Sequence, residues 1–123
     1  MLRFGATFAL VAASASFAAP IPVTITGAAQ EQQARRLESA VRKELMRDRR
    51  FILVDRPAPG AFNIALPAGV GWERRLDWTE IYFQARLNTP SGQSHVLAGR
   101  CYNWSMSVCA KQILDSAAQA AGN

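Results

Sequence analysis

TEIYFQARLN, residues 79–88, alternates without interruption. Thr79, Ile81, Phe83, Ala85 and Leu87 fall on one side. Glu80, Tyr82, Gln84, Arg86 and Asn88 fall on the other. Period two with one apolar and one wet face describes a strand in a sheet covered on a single side. Downstream, Thr89-Pro90-Ser91-Gly92 forms a turn. Ser94 to Tyr102 then returns as the partner strand, with Val96 and Ala98 expected to face inward.

Working outward, roughly Val108 to Ala121 is a second kind of element. Ala110, Leu114, Ala117 and Ala121 recur at helical spacing, and Ser105 or Ser107 is placed to cap the helix. Upstream, residues 28–50 (AAQEQQARRLESAVRKELMRDRR) repeat the pattern with Ala34, Leu37, Val41 and Leu45. Glu31–Arg35 and Glu38–Arg42 are i,i+4 pairs in the favourable order. Phe51-Ile52-Leu53-Val54 reads as a buried central strand, stopped by Asp55-Arg56-Pro57. Ala61 to Leu66 is a further strand candidate, and Pro67 to Gly71 breaks the chain again. Residues 19–27, with Val23-Thr24-Ile25-Thr26, read as an N-terminal arm or an edge strand. The expected fold is α+β: a small antiparallel or mixed sheet of three to five strands covered by two helices, in a single domain spanning 28–123.

The chain has 123 residues, 14 Lys and Arg against 9 Asp and Glu, and a formal charge of +5. Its first segment, MLRFGATFALVAASASFAAP, has a basic start at Arg3, an apolar stretch from Phe4 to Ala13, and Ser16-Phe17-Ala18. That is the pattern of a secretory signal peptide over 1–18, cleaved between Ala18 and Ala19. The apolar run is shorter than the roughly 20 residues a spanning helix needs. The expected location is the periplasm or the exterior of a bacterial cell. In that oxidising space Cys101 and Cys109 are expected to form a disulfide. Their spacing is not C-x-x-C, and no cluster of His, Asp or Glu accompanies them, so neither redox catalysis nor a metal site is expected.

The stretch Leu37 to Arg56, LESAVRKELMRDRRFILVDR, resembles the TolB amino-terminal domain and curli-secretion-lipoprotein family of small secreted envelope proteins. Leu45, Arg50, Phe51, Val54, Asp55 and Arg56 carry the resemblance, as helix end, buried strand and strand exit. The family continues into a helix marked A-x-x-L-G-A-D. This chain instead has Trp72-Glu73-Arg74-Arg75-Leu76-Asp77-Trp78. The resemblance implies an interaction module of the cell envelope rather than an enzyme.

Among single residues, His95 has no partner in sequence for general-base or metal chemistry and reads as a histidine on an exposed sheet face. A hydrolytic site would require it to converge with Asp77 and Tyr102. The glycines match no phosphate-binding motif, and no cofactor is expected. The aromatic and basic residues are more informative. Tyr102, Asn103 and Trp104 lie in the loop closed by the disulfide, and Trp72, Arg74, Arg75 and Trp78 form a second group. Such residues anchor protein interfaces. The competing reading folds Trp104 and Met106 inward as a plug for the core. Arg35, Arg42, Lys43 and Arg49 mark a basic helix face, suited to weak contact with an anionic membrane surface and diluted by Glu38, Glu44 and Asp48. Nucleic acid is not expected as a partner in that compartment.

These features imply a small, non-enzymatic binding or adaptor protein whose partner is a periplasmic or outer-membrane protein. An inhibitor or immunity-type protein that blocks a secreted enzyme is the alternative.

Overall fold

The computed structural model describes residues 19–27 and 29–122; the leader read over 1–18 lies outside the described residues. The elements in chain order are β1 (Ile21–Gly27), α1 (Gln32–Arg47), β2 (Phe51–Leu53), β3 (Phe62–Leu66), β4 (Gly71–Arg74), β5 (Thr79–Asn88), β6 (Ser94–Tyr102) and α2 (Met106–Gly122). The six strands of the described residues join one mixed sheet. Over the described residues the fold is therefore α+β, with two helices and a disulfide between Cys101 and Cys109.

β1 runs parallel to β2 on one side and to β3 on the other. β5 receives β6 along its whole length, antiparallel, from Glu80 opposite Tyr102 to Asn88 opposite Ser94. The other side of β5 is shared. β3 pairs with its C-terminal end and β4 with its N-terminal end. From Ala65 to Gly71 the chain takes six steps while β5 takes four, from Arg86 to Tyr82. Pro67-Ala68-Gly69-Val70 thus bulges out of what is otherwise one long strand. The sheet has six strands but is only five positions wide.

α1 and α2 pack on each other and on the same face of the sheet. Leu37, Val41 and Leu45 of α1 meet Ile113, Leu114 and Ala117 of α2 over Val23, Ile64, Ile81, Leu87 and Leu97. The alternation of 79–88 is reproduced: Ile81, Phe83, Ala85 and Leu87 are buried, and Tyr82, Gln84 and Arg86 are exposed.

Three expectations are corrected. Phe51–Leu53 is an edge strand rather than a central one, since among the described residues it pairs only with β1 and leaves Ile52 exposed. Residues 21–27, read as an arm or an edge strand, lie inside the sheet between β2 and β3. In a βαβ unit the returning strand docks beside the first, and here it docks on the outer side. Val96 and Ala98 face solvent, while Leu97 and Cys101 face the core. The hairpin register fixes this: Val96 lies opposite Arg86 and Leu97 opposite Ala85, and directly paired residues share a face.

Two contacts secure the periphery. The Arg50 guanidinium donates to Asp48, at 2.7 Å, and to Asp115 of α2, at 2.8 Å, tying the end of α1 to the second helix. On the open face Asn63 Nδ2 donates to Thr24 Oγ1 at 2.9 Å, and Asn88 Nδ2 donates to Asn63 Oδ1 at 3.0 Å. This amide–hydroxyl ladder crosses β1, β3 and β5 without an apolar side chain.

Candidate functional site

The register that places Glu80 opposite Tyr102 brings the turn before β5 next to the loop after β6. Trp78, at the entrance to β5, then meets Tyr102 and Trp104. The Tyr102 and Trp104 rings are stacked, with centroids 5.0 Å apart and planes 18° from parallel. Trp78 stands edge-on to both, 6.0 Å from Tyr102 and 6.2 Å from Trp104. Offset stacks and edge-to-face pairs are the arrangements the ring quadrupoles favour, each worth about 0.5–1.5 kcal/mol beyond burial. Even so, the cluster stays open: Tyr102 is 42% exposed and Trp104 63%.

The two readings of the loop are now separated. Met106 is buried and plugs the core; Trp104 remains outside.

Rigidity comes from three sources. The Cys101–Cys109 bond joins the end of β6 to the first turns of α2, with the Cα atoms 5.4 Å apart. Asn103 clamps the other side. Its N–H donates to the Thr79 carbonyl at 2.9 Å, and its Oδ1 accepts from the Thr79 N–H at 3.1 Å. The Asn103 carbonyl also accepts from Arg36 Nη2 of α1, at 2.6 Å. Asn103 therefore positions the tip rather than presenting its amide to a ligand. Ser105 does not cap α2 with its hydroxyl, which donates to the Tyr102 carbonyl.

A charged row borders the rings. Arg75 lies 3.4 Å from Glu73 and 3.1 Å from Glu80, and Arg100 lies 3.8 Å from the other Glu80 oxygen. The Glu80 hydrogen bond, followed by the charge of Glu73, raises the Arg75 pKa above its ordinary value. The guanidinium is held beside the aromatic group, with its charge balanced locally.

Trp72 and Arg74 do not join this cluster. Trp72 lies opposite Ile81 and so turns to the helix side, where it is 55% exposed. Of the two tryptophans and two arginines in 72–78, only Trp78 and Arg75 reach the tip.

The basic helix face is broken up. Arg42 is paired with Glu38 at 3.2 Å and Arg47 with Glu44 at 3.4 Å. Glu31 turns away from Arg35 and accepts the Val70 N–H at 2.8 Å. Lys43 is exposed on α1, and Arg49 lies in the turn after the helix has ended.

His95 also differs from expectation. It lies opposite Leu87, so it faces the helix side, half-buried in a hollow with Phe62, Pro90 and Ala120. Seven residue steps along the strand separate it from Tyr102, about 23 Å at strand rise. His95, Asp77 and Tyr102 do not converge on one cleft. Among the described residues no group of three or more His, Cys, Asp or Glu is placed to hold a metal ion. A shallow depression of about 510 Å³ lies over the β3–β4 bulge, lined by Pro67, Val70, Tyr82, Gln84 and Ala98. Tyr82 is its only titratable lining group, and its ring lies across Gly71, where a Cβ would overlap it. Among the described residues no helix is long and apolar enough to cross a membrane.

A scan against protein-family models finds no match, and no curated protein matches the chain.

Proposed function

We propose that this chain is a small, non-catalytic binding or adaptor protein of the bacterial cell envelope, which engages a protein partner through the Trp78–Tyr102–Trp104 tip. One observation carries the reading. Three aromatic rings are gathered at one end of the sheet and fixed from behind by a disulfide and by Asn103, with Trp78 half-buried and Tyr102 and Trp104 left exposed. Aromatic side chains buried in contacts with each other stabilise a fold. Rings held rigid in solvent offer contact area that loses little conformational entropy on binding, which is how interface anchors work. The adjoining Arg75–Glu80–Arg100 row supplies the polar rim.

The leader pattern over 1–18 and the disulfide support an extracytoplasmic setting, the periplasm or the exterior. The likeness of residues 37–56 to the TolB amino-terminal domain and curli-secretion-lipoprotein family points to the same compartment.

The test is capture from envelope extract under mild crosslinking, using the oxidised protein and two variants. A stoichiometric partner retained by the wild type and by Arg35→Ala, and lost with Trp104→Ala, supports the tip. Equal capture by Trp104→Ala and the wild type removes it.

A further inference from the structure

The sheet has two edges, and they are guarded differently. β2 is three residues long and runs into Asp55-Arg56-Pro57, a charged, proline-closed exit. β6 is nine residues long and, among the described residues, pairs only with β5. Part of its free edge is covered from α2. Gln112 Oε1 accepts the Arg100 N–H, and Gln112 Nε2 donates to the Arg100 carbonyl, both at 2.9 Å. The side-chain amide thus takes the place of a neighbouring strand.

Arg100 faces away from β5, and so do the alternate residues Ala98, Val96 and Ser94. Among the described residues, none of their N–H or C=O groups has a hydrogen-bond partner on that side. Natural edges are protected by Lys, Pro, bulges or a covering element. Between Gln93 and Gly99 there is no Lys, Arg, Asp, Glu or Pro, and the register with β5 is unbroken.

We propose that Ser94–Ala98 is a self-association edge, at which β6 pairs antiparallel with β6 of a second copy of this chain. The limits of the open window favour a second copy. It ends at Arg100, where Gln112 occupies the backbone, and at the Thr89–Gln93 turn. Its centre is Val96, which is 55% exposed. A two-fold axis at Val96 sets Val96 against itself, and Ser94 against Ala98 of the second copy. These are all outward-facing residues, so each pair exchanges both backbone hydrogen bonds. Every unpartnered group in the window is then satisfied in both copies. Ser94, Val96 and Ala98 are small and uncharged, and on the other face His95 meets Leu97 of the second copy, so no like charges are set against each other across the axis. Val96, an apolar side chain on the open face, is covered by its counterpart. The aromatic tip lies at the opposite end of β6 and stays free in this arrangement.

Sedimentation equilibrium of the oxidised protein, expressed from the whole sequence, tests the inference. The expected result is a monomer–dimer equilibrium that Val96→Lys weakens by at least about tenfold, because the axis then sets two ammonium groups face to face. Far-UV circular dichroism confirms that the variant is folded. Hydrogen exchange on the wild type gives a second measurement. The amides of Ser94, Val96 and Ala98 are expected to become protected as concentration rises, while the Arg100 amide does not change. A monomer at all concentrations overturns the proposal. So does a dimer that Val96→Lys leaves intact, or one whose Val96 amide exchange is independent of concentration.

Discussion

Gly99 and Gln112 are coupled through one amide group, and the coupling is measurable. A Cβ added at residue 99 would overlap Gln112 Oε1 and come within 3.0 Å of Phe83 Cζ. Gly99→Ala therefore expels the Gln112 side chain from the β6 edge. Two hydrogen bonds to Arg100 go with it, each worth about 0.5–1.5 kcal/mol net, for a loss of about 1–3 kcal/mol. Replacing glycine by alanine in a strand returns about 0.5–1 kcal/mol through the unfolded chain. The single variant is accordingly expected to lose up to about 2.5 kcal/mol. Gln112→Ala forfeits the same two bonds and is expected to cost a similar amount. In the double variant the bonds are lost only once, and the contact of the new methyl with Phe83 is common to both backgrounds. The cycle should then show a coupling equal to the shared bond loss, about 1–3 kcal/mol, with Gly99→Ala near neutral or stabilising once Gln112 is gone. Urea unfolding followed by tryptophan fluorescence gives the four stabilities, at concentrations low enough to keep the chain monomeric. Additivity within about 0.5 kcal/mol would mean that the amide does not occupy the edge, and the argument for an edge half covered by Gln112 would fall.

Other outcomes follow from the same contacts. Reducing Cys101–Cys109, which are eight residues apart, should cost about 2.5 kcal/mol on the loop-entropy relation and lower Tm by about 10 °C, read by calorimetry with and without reductant. Asn103→Ala leaves the Thr79 N–H without its acceptor. It should destabilise by about 1–2 kcal/mol and weaken the near-UV circular dichroism of the ring cluster, whereas Asn63→Ala should leave that signal unchanged. The Asp48 carboxyl is held below its ordinary value chiefly by the hydrogen bond from Arg50. Its folded pKa is thus lower than its unfolded one. The stabilisation is complete above about pH 4 and disappears as pH falls from there through the folded value. Urea titrations between pH 6 and 2 should accordingly show wild type and Arg50→Gln converging in stability on the acid side.

The parts of this fold that were legible in sequence are those where a single periodicity acts alone. In 79–88 every second residue is apolar and the rest are wet, so the buried face could be read directly. In 94–102 apolar residues occur on both parities, Val96 and Ala98 on one and Leu97 and Cys101 on the other. Only the pairing of Leu97 with Ala85 decides which set is covered. Hydropathy also misplaces β1 and β2. Phe51-Ile52-Leu53-Val54 is the more apolar run, yet position in a sheet follows connectivity, and the strand after the helix docks on the outside of the first. At the tip, sequence marks Tyr102 and Trp104 as a rigid loop and Trp78 as part of another group. Their meeting depends on the hairpin register, which local sequence does not fix. The supporting role of Asn103 and the edge cover by Gln112 had no sequence signal, since an isolated amide marks nothing until its partner is known.

The sheet order also bears on how the chain reaches this structure. β5, β6 and α2 are consecutive, and the hairpin that joins the two strands closes over five residues, Thr89 to Gln93. β1 is different. Its partners begin at Phe51 and Phe62, so its pairing waits on loops several times longer, each with a larger closure entropy. Contact order therefore divides the domain into a fast C-terminal half and a slow N-terminal one. The nucleus expected from this is the 79–122 hairpin and helix, and β1 is the last strand to be locked between its neighbours. Until then a row of Val23, Ile25 and their backbone groups stands open, so the interval before β1 docks is when this chain is most exposed to aggregation.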